Sequence, residues 1–540
     1  MHDVPHDTRR RGSNRWLYFA RVPRLRFGAA ALTLTALALA VARAAPDEAI
    51  LRTNIPADPA QIEPITQSEL ISGDIIANMY EGFTTLDTAG NLVPALALSW
   101  QVHSDELGFR FQLRRGVQFH SGREFTAADV KFTYEQILLP ENRGGANTRY
   151  LANVIGAEAL RSGTATTLTG IRVVDRYTVD VRFMTPDALF PLYPITFIDR
   201  GSLDEGGLAS LQTRSAGTGP FRLGHWRRGQ QVWLERHPDY WNGPSALEGV
   251  SFVIVPNGHT AVSMFEADEL DLLYADQATA RRILRNPDFD GLRLRQLAAQ
   301  IQYLGMNQRL YPPFGDIRVR EAICRAIDRE AIAEGLESGA AQPLHGQTAP
   351  HVAGYNSSIP PITYDPGRAR ELLQAAGYPD GAGLPELEVT GTAPNKYLLV
   401  YIAHQLQSQL GMPVRIEVLE RGSFIMNLNA GNIAFFPWGW AADYPDALYF
   451  LGQVWYGASV YNRSRWQNAE FDRLIEQSRQ TFDQAARFDL YARAERILLE
   501  DWGTCPLIVR EQLALKQPNV EGVHLTPFRF LPFHGARIAN

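Results

Sequence analysis

A chain of 540 residues, 45% hydrophobic and 20% charged, has globular composition and enough length for about three domains, which excludes a disordered or fibrous protein. Its formal net charge is −6 and its one basic run lies within residues 9–26, so nucleic acid is not an expected partner. The only cysteines, Cys324 and Cys505, lack metal-ligand spacing.

Residues 1–44 stand apart from the rest. Seven arginines between residues 9 and 26 precede an apolar run over 27–41, and Ala42-Arg43-Ala44 follows as a small-x-small pattern. This is the order of a secretory signal peptide, so the mature chain is expected to begin near Ala45, outside the cytoplasm. The apolar run, about 15 residues, falls short of the roughly 20 that a membrane span needs. Eight arginines against Asp3 and Asp7 give this segment +6, which leaves −12 on the remainder. Export permits a disulfide. Cys324 lies in an apparent helix, however, and a pair with Cys505 and two buried free thiols both stay open.

Helix and strand signals then mix along the whole chain, without repeats. Phe109-Arg-Phe-Gln-Leu113 alternates like a half-buried strand. Thr126-Ala-Ala-Asp129 is a capping box that opens a helix through Leu138. Tyr177, Val179, Val181 and Phe183 alternate in another strand, and residues 231–235 and 251–255 read as two more. In the second half Asp316 caps a helix over 319–332 that carries Val319, Ile323, Ile327 and Ile332. Asp365-Pro366 starts a further helix that should end at Gly377. Residues 387–390, 398–410 and 414–419 read as strand, helix, strand, which implies a parallel pair with a right-handed crossover. Helices over 469–480 and 484–501 lead to final strands from residue 505. A β-richer part therefore spans 45–300 and an α/β part 306–505, before the chain returns to the first. Two crossing strands between two lobes make a hinge, and pockets favour the cleft between lobes.

The segment Phe436-Pro-Trp-Gly-Trp-Ala-Ala-Asp-Tyr-Pro-Asp446 places one carboxylate, Asp443, behind two tryptophans. Aromatic walls with a single anion suit a cationic group held away from water. Asp before Tyr-Pro-Asp is equally ordinary turn chemistry, and on composition alone the turn reading leads.

Five ordered segments resemble the family 5 extracellular solute-binding proteins, the receptors of peptide and nickel ABC importers. They are Tyr80-Glu-Gly-Phe83 with Leu92-Val-Pro-Ala-Leu-Ala-Leu-Ser-Trp100; the run from Phe109 to Phe132; Gly217-Thr-Gly-Pro-Phe221 with Tyr240-Trp-Asn-Gly243; Met306-Asn307 with Asp316-Ile-Arg-Val-Arg320 and Ala326-Ile-Asp328; and Trp440-Ala-Ala-Asp-Tyr-Pro-Asp446. The resemblance implies an α/β, two-lobed periplasmic-binding-protein fold of type II, with an extra subdomain in the first lobe and the ligand cleft between lobes. The implied division is a signal peptide over 1–44, lobe I over 45–305 with an inserted subdomain at about 85–214, lobe II over 306–505, and a return to lobe I over 506–540. It further implies a monomeric periplasmic receptor, not an enzyme, that closes on a peptide or similar amino-bearing solute and delivers it to an inner-membrane permease.

By this resemblance Asp443 pairs with the ligand's ammonium group, and the main chain of Trp438, Gly439, Trp440 and Ala441 pairs with the ligand backbone. Tyr444, Gly217, Thr218, Gly219, Tyr303 and Asn307 are further candidates at the cleft, and for 217–219 a purely structural turn is an equal reading. The chain departs from the pattern in one respect: residues 422–443 contain no Arg or Lys to hold a ligand carboxylate. Arg421, Arg463 and Arg465 are available, but each is expected to be a solvated surface residue. Asp129 is expected to cap its helix and Asp328 to join a helix salt bridge. No histidine pair has metal-ligand spacing, and no cofactor or metal is expected. A secreted hydrolase finds no supporting motif. A solute sensor feeding a signalling protein would use the same fold, and sequence does not separate it from transport.

Overall fold

The computed structural model describes residues 49–540 except positions 68, 143–144, 146, 204–205, 529–531 and 540. The expected signal peptide and its cleavage point lie outside the described residues.

Two long strands, Arg293–Met306 and Cys505–Lys516, run antiparallel through the middle of an 11-stranded sheet. They lie where the two crossing strands are expected. From 301 to 306 the first is buried at every residue, as a strand covered on both faces must be. On one side lie Phe435–Ala441, Leu387–Thr392 and Val414–Leu419; on the other lie Leu272–Tyr274, Ile50–Ile55, Gly249–Ile254, Gln231–Arg236 and Phe221–Arg227. Both parts of the chain thus share one continuous sheet. Register slips between Leu297 and Ile301 bend the central pair at mid-length.

The expected strand–helix–strand unit is present. Leu387–Thr392 and Val414–Leu419 pair in parallel, joined by the helix Lys396–Leu410, which ends at Gly411 in the left-handed conformation. The helix expected over 319–332 is instead broken. Ile317–Arg325 ends, and a new turn, Arg329–Ala331, starts where the Asp328 carboxylate accepts from the Ala331 amide at 3.0 Å. Asp328 is therefore an N-cap, and its spacing to Ala331 restarts the helix. Arg329, buried, donates to the Pro506 carbonyl at 2.7 Å. Close by, Cys324 and Cys505 form a disulfide with Cα atoms 5.6 Å apart, which ties this helix to the second crossing strand.

A separate four-stranded sheet, ordered Ala97–Val102, Gly108–Leu113, Thr178–Arg182, Ile171–Asp175, lies within the range read as a subdomain. The helix Ala127–Leu138 packs on it and opens with the expected capping box, in which Asp129 accepts from the Thr126 amide at 2.9 Å. Phe83, Phe111, Tyr134 and Phe197 form an aromatic core there, with Phe83 and Phe111 stacked at 4.0 Å.

Candidate ligand site

The strand Phe435–Ala441 pairs with Arg293–Met306 along its whole length, but meets Leu387–Thr392 only at Phe435. Beyond Phe435 its far edge has no strand neighbour among the described residues. Such an edge is a template for an added extended chain. Its side chains turn from buried at 435–437 to half-buried at 438–441.

Trp438 and Trp440, two apart, point to one face of the strand. An aromatic row continues from them. Arg463 lies over the Trp438 ring at 4.4 Å and within 5.8 Å of Tyr461. Tyr461 meets Trp440 at 5.0 Å, and Trp440 meets Tyr449 at 5.8 Å. The Trp440 indole donates to the Tyr449 carbonyl at 3.2 Å, which fixes the ring.

Asp443 ends the row, with its side chain 39% exposed. Its Oδ2 accepts from the Tyr150 hydroxyl at 2.6 Å and from Arg149 Nη2, two residues some 294 positions away in sequence. Arg149 also reaches the hydroxyls of Tyr150 at 2.8 Å and Tyr449 at 3.4 Å. Burial works against the Arg149 charge, but the Tyr150 and Tyr449 hydroxyls and the Asp443 carboxylate outweigh it and raise the pKa. Burial, then the Asp443 charge, raises the Tyr449 hydroxyl as well. Asp443 is thus an exposed anion with a counter-ion already supplied by the chain. Nothing in sequence pointed to Arg149 or Tyr150, because the contact joins the start of a four-residue helix, Thr148–Leu151, to a distant strand end.

The opposite end of the row is a cation without an acid. Arg463, expected to be solvated, is 7% exposed. Its Nε and Nη2 donate to the neutral Asn429 Oδ1 at 3.2 and 2.9 Å, whereas the buried Nη1 has no partner. Burial lowers its pKa. The Trp438 indole N–H is buried and unpartnered too. Arg465 donates to the Asn429 carbonyl at 3.3 Å, and Arg421 is exposed at the first turn of the helix Arg421–Ala430.

The other expected residues are placed differently. Tyr303, 1% exposed, packs edge-on against Trp455 at 5.4 Å, and Tyr444 is buried among Tyr150, Tyr193 and Tyr449. Asn307 is fully buried and bonded locally, donating to the Gly431 carbonyl and accepting from the Arg309 amide. Gly217, Thr218 and Gly219 are buried against the end of the helix Leu70–Met79. A Cβ on Gly217 would sit 1.9 Å from the Met79 carbonyl oxygen. The Thr218 hydroxyl donates to Glu81 at 2.8 Å. Both glycines pack closely on this main chain, as the structural reading of the motif expects.

Two histidines that are far apart in sequence meet beside them. His120 and His237 stack edge-on at 4.9 Å, and both reach the Gly219 carbonyl. Among the described residues no group of three or more His, Cys, Asp or Glu side chains is arranged to hold a metal. A cavity of about 670 Å³ begins two residues past Asp443, lined by Pro445 and Asp446 with Trp100, Phe109, Val352 and Arg487.

Comparison with known proteins agrees with this architecture. Among curated relatives, di/tripeptide-binding protein 2 of Pseudomonas aeruginosa is 29% identical over 475 residues, covering 83% of this chain and 87% of its own. Heme-binding protein A of Haemophilus influenzae is 26% identical over 473 residues, with 83% and 84% covered. Among solved structures, the unliganded open form of the periplasmic murein tripeptide binding protein MppA superposes with a TM-score of 0.78 at 22% identity, over 91% of this chain and 98% of that one. The periplasmic binding protein DppA from Helicobacter pylori, in complex with the peptide STSA, does so with 0.73 at 24%, over 91% and 98%. These neighbours share the fold, the two-lobed type II form of periplasmic binding proteins. Residues 91–462 match the middle region of the bacterial extracellular solute-binding proteins, family 5, and the chain belongs to that family.

Proposed function

We propose that this protein is a periplasmic receptor that captures short peptides by closure of two lobes and delivers them to an inner-membrane ABC permease. The open edge of Phe435–Ala441, ending at Asp443, carries the reading. A peptide laid along that edge exchanges main-chain hydrogen bonds without regard to its side chains, which suits a receptor of varied peptides. Its ammonium group meets the Asp443 carboxylate in a charge-assisted pair beside the tyrosines. The 670 Å³ cavity past Pro445 has the size of a small-ligand pocket and offers room for ligand side chains. Lobe I, over 45–305 and 506–540, and lobe II, over 306–505, move about the strands Arg293–Met306 and Cys505–Lys516. The protein acts as a monomer.

Titration calorimetry with di- to pentapeptides tests the reading. Asp443→Ala is expected to fold normally and to weaken binding roughly 10- to 100-fold, the range of a charge-assisted pair. Unchanged affinity in the variant removes Asp443 from the site.

A further inference from the structure

We propose that Arg463 and Trp438 form the seat of a ligand carboxylate, and that this seat, rather than Asp443, is the stronger anchor. The proposal rests on the peptide reading above and adds which chemical group dominates it.

Both unpartnered atoms here are donors. Arg463 Nη1 and Trp438 Nε1 are buried, and the guanidinium lies 4.4 Å from the ring. The Nε of Arg149, at the other end of the row, is a third buried donor without a partner. These three donors ask for an acceptor, whereas the Asn462 Oδ1 beside Arg463 is an acceptor without a partner. A buried cation whose only partner is an amide oxygen is unstable unless an anion arrives, and the Trp438 face compensates it in part. A carboxylate offers two oxygens, one for each donor.

The two ends differ in what a ligand gains. Asp443 already holds Arg149 and Tyr150, so an arriving ammonium replaces or shares existing bonds. Arg463 has no acid to give up: among the described residues no ion pair involves it. Arg149, Asp443 and Arg463 sum to +1, so before a ligand arrives the row holds one more cation than anion, and the surplus cation is Arg463. Asp443 lies five positions past Trp438, and at roughly 3.3 Å per extended residue the row matches a peptide of about three to five residues.

The test compares tetra-alanine, its C-terminal amide and its N-acetyl derivative by calorimetry on the full-length mature protein. Amidation is expected to weaken binding about 100-fold and acetylation about 10-fold or less. Arg463→Gln should bring acid and amide within about threefold of each other, and Trp438→Phe should weaken only the acid, several-fold. Equal binding of acid and amide by the wild type, or a larger loss from acetylation, overturns the seat while peptide binding stands. If none of the peptides binds, the peptide reading itself fails and the seat fails with it. Should Arg463→Gln misfold in a thermal melt, the wild-type comparison and Trp438→Phe decide.

Discussion

The segments 217–219 and 438–443 both place glycines near aromatic residues, yet most polar groups around the first are paired and several along the second are not. Around the first, Glu81 accepts from Thr218 at 2.8 Å, from the Tyr240 hydroxyl at 2.8 Å and from the Trp241 indole at 3.0 and 3.1 Å. His120 has a partner on each ring nitrogen, Ser215 at 2.6 Å and the Gly219 carbonyl at 3.0 Å. Along the second, Arg463 Nη1, Trp438 Nε1 and Arg149 Nε are buried without partners. Buried polar groups in native proteins are almost always satisfied, so a cluster that is satisfied holds the fold and one that is not marks where a ligand completes it. In the proposed site the strand with spare donors is the ligand edge, and the packed glycine motif is assigned to its scaffold.

The sharpest way to break this contrast is Gly217→Ala. The methyl group would meet main chain, the Met79 carbonyl oxygen at 1.9 Å, which cannot swing aside as a side chain does. A loss of roughly 3 kcal/mol of stability is expected, at the upper end of overpacking costs. Urea unfolding reads it, and the peptide affinity of the folded fraction should stay within twofold. Full stability combined with lost affinity would reverse the assignment of the two segments.

Much of the fold was legible because its signals are local. The capping box at Thr126 and Asp129 and the Asp365 cap, which accepts from the Arg368 amide at 2.8 Å, depend on residues three apart. The parallel unit from 387 to 419 follows from the strand–helix–strand pattern of the residues. The helix over 319–332 was misjudged because its apolar spacing continues through Asp328, whose capping role appears only once Arg329 is seen buried under Pro506. At the site, Asp443 and its tryptophans were legible as a contiguous motif. Arg149 was not, because a contact across 294 positions leaves no local trace. Arg463 was misplaced because arginine is usually solvated, and only the fold puts Trp438 and Tyr461 around it.

Arg149→Met probes the end of the row at Asp443, where the chain supplies its own counter-ion. In the proposed site the guanidinium competes with the ligand's ammonium for Asp443. Removing it should strengthen peptides with a free amino group by about 10-fold, one unit on the affinity scale, and leave N-acetyl peptides within twofold. Calorimetry of the two peptide forms against the variant measures the split. Weaker binding of the free-amine form would mean that Arg149 holds Asp443 in place for the ligand instead of contesting it.

The smallest effect separates a satisfied buried acid from the unsatisfied donors of the site. Glu495, 1% exposed on the helix Gln484–Glu500, accepts from the Gln347 amide at 2.7 Å and the Thr348 hydroxyl at 3.2 Å, and burial pushes its pKa up to about 7. Its folded pKa lies above the ordinary 4.5, so the folded state binds the proton more tightly than the unfolded chain does. The stability this group confers is complete below about pH 4.5 and is lost as pH rises through 7. Between pH 6 and pH 8 the change is about 1 kcal/mol, one pKa unit of interaction. Glu495→Gln keeps the accepting oxygen and removes the titration, so its unfolding midpoint should fall less across that range than the wild type's. Peptide affinity should follow a different curve, set by loss of the proton from the ligand's own ammonium group at about pH 8, and an N-acetyl peptide, which lacks that group, should stay flat. If affinity instead tracks stability from pH 6 to pH 8 and the variant abolishes both, the scaffold acid and the ligand row are coupled and the division between them is wrong.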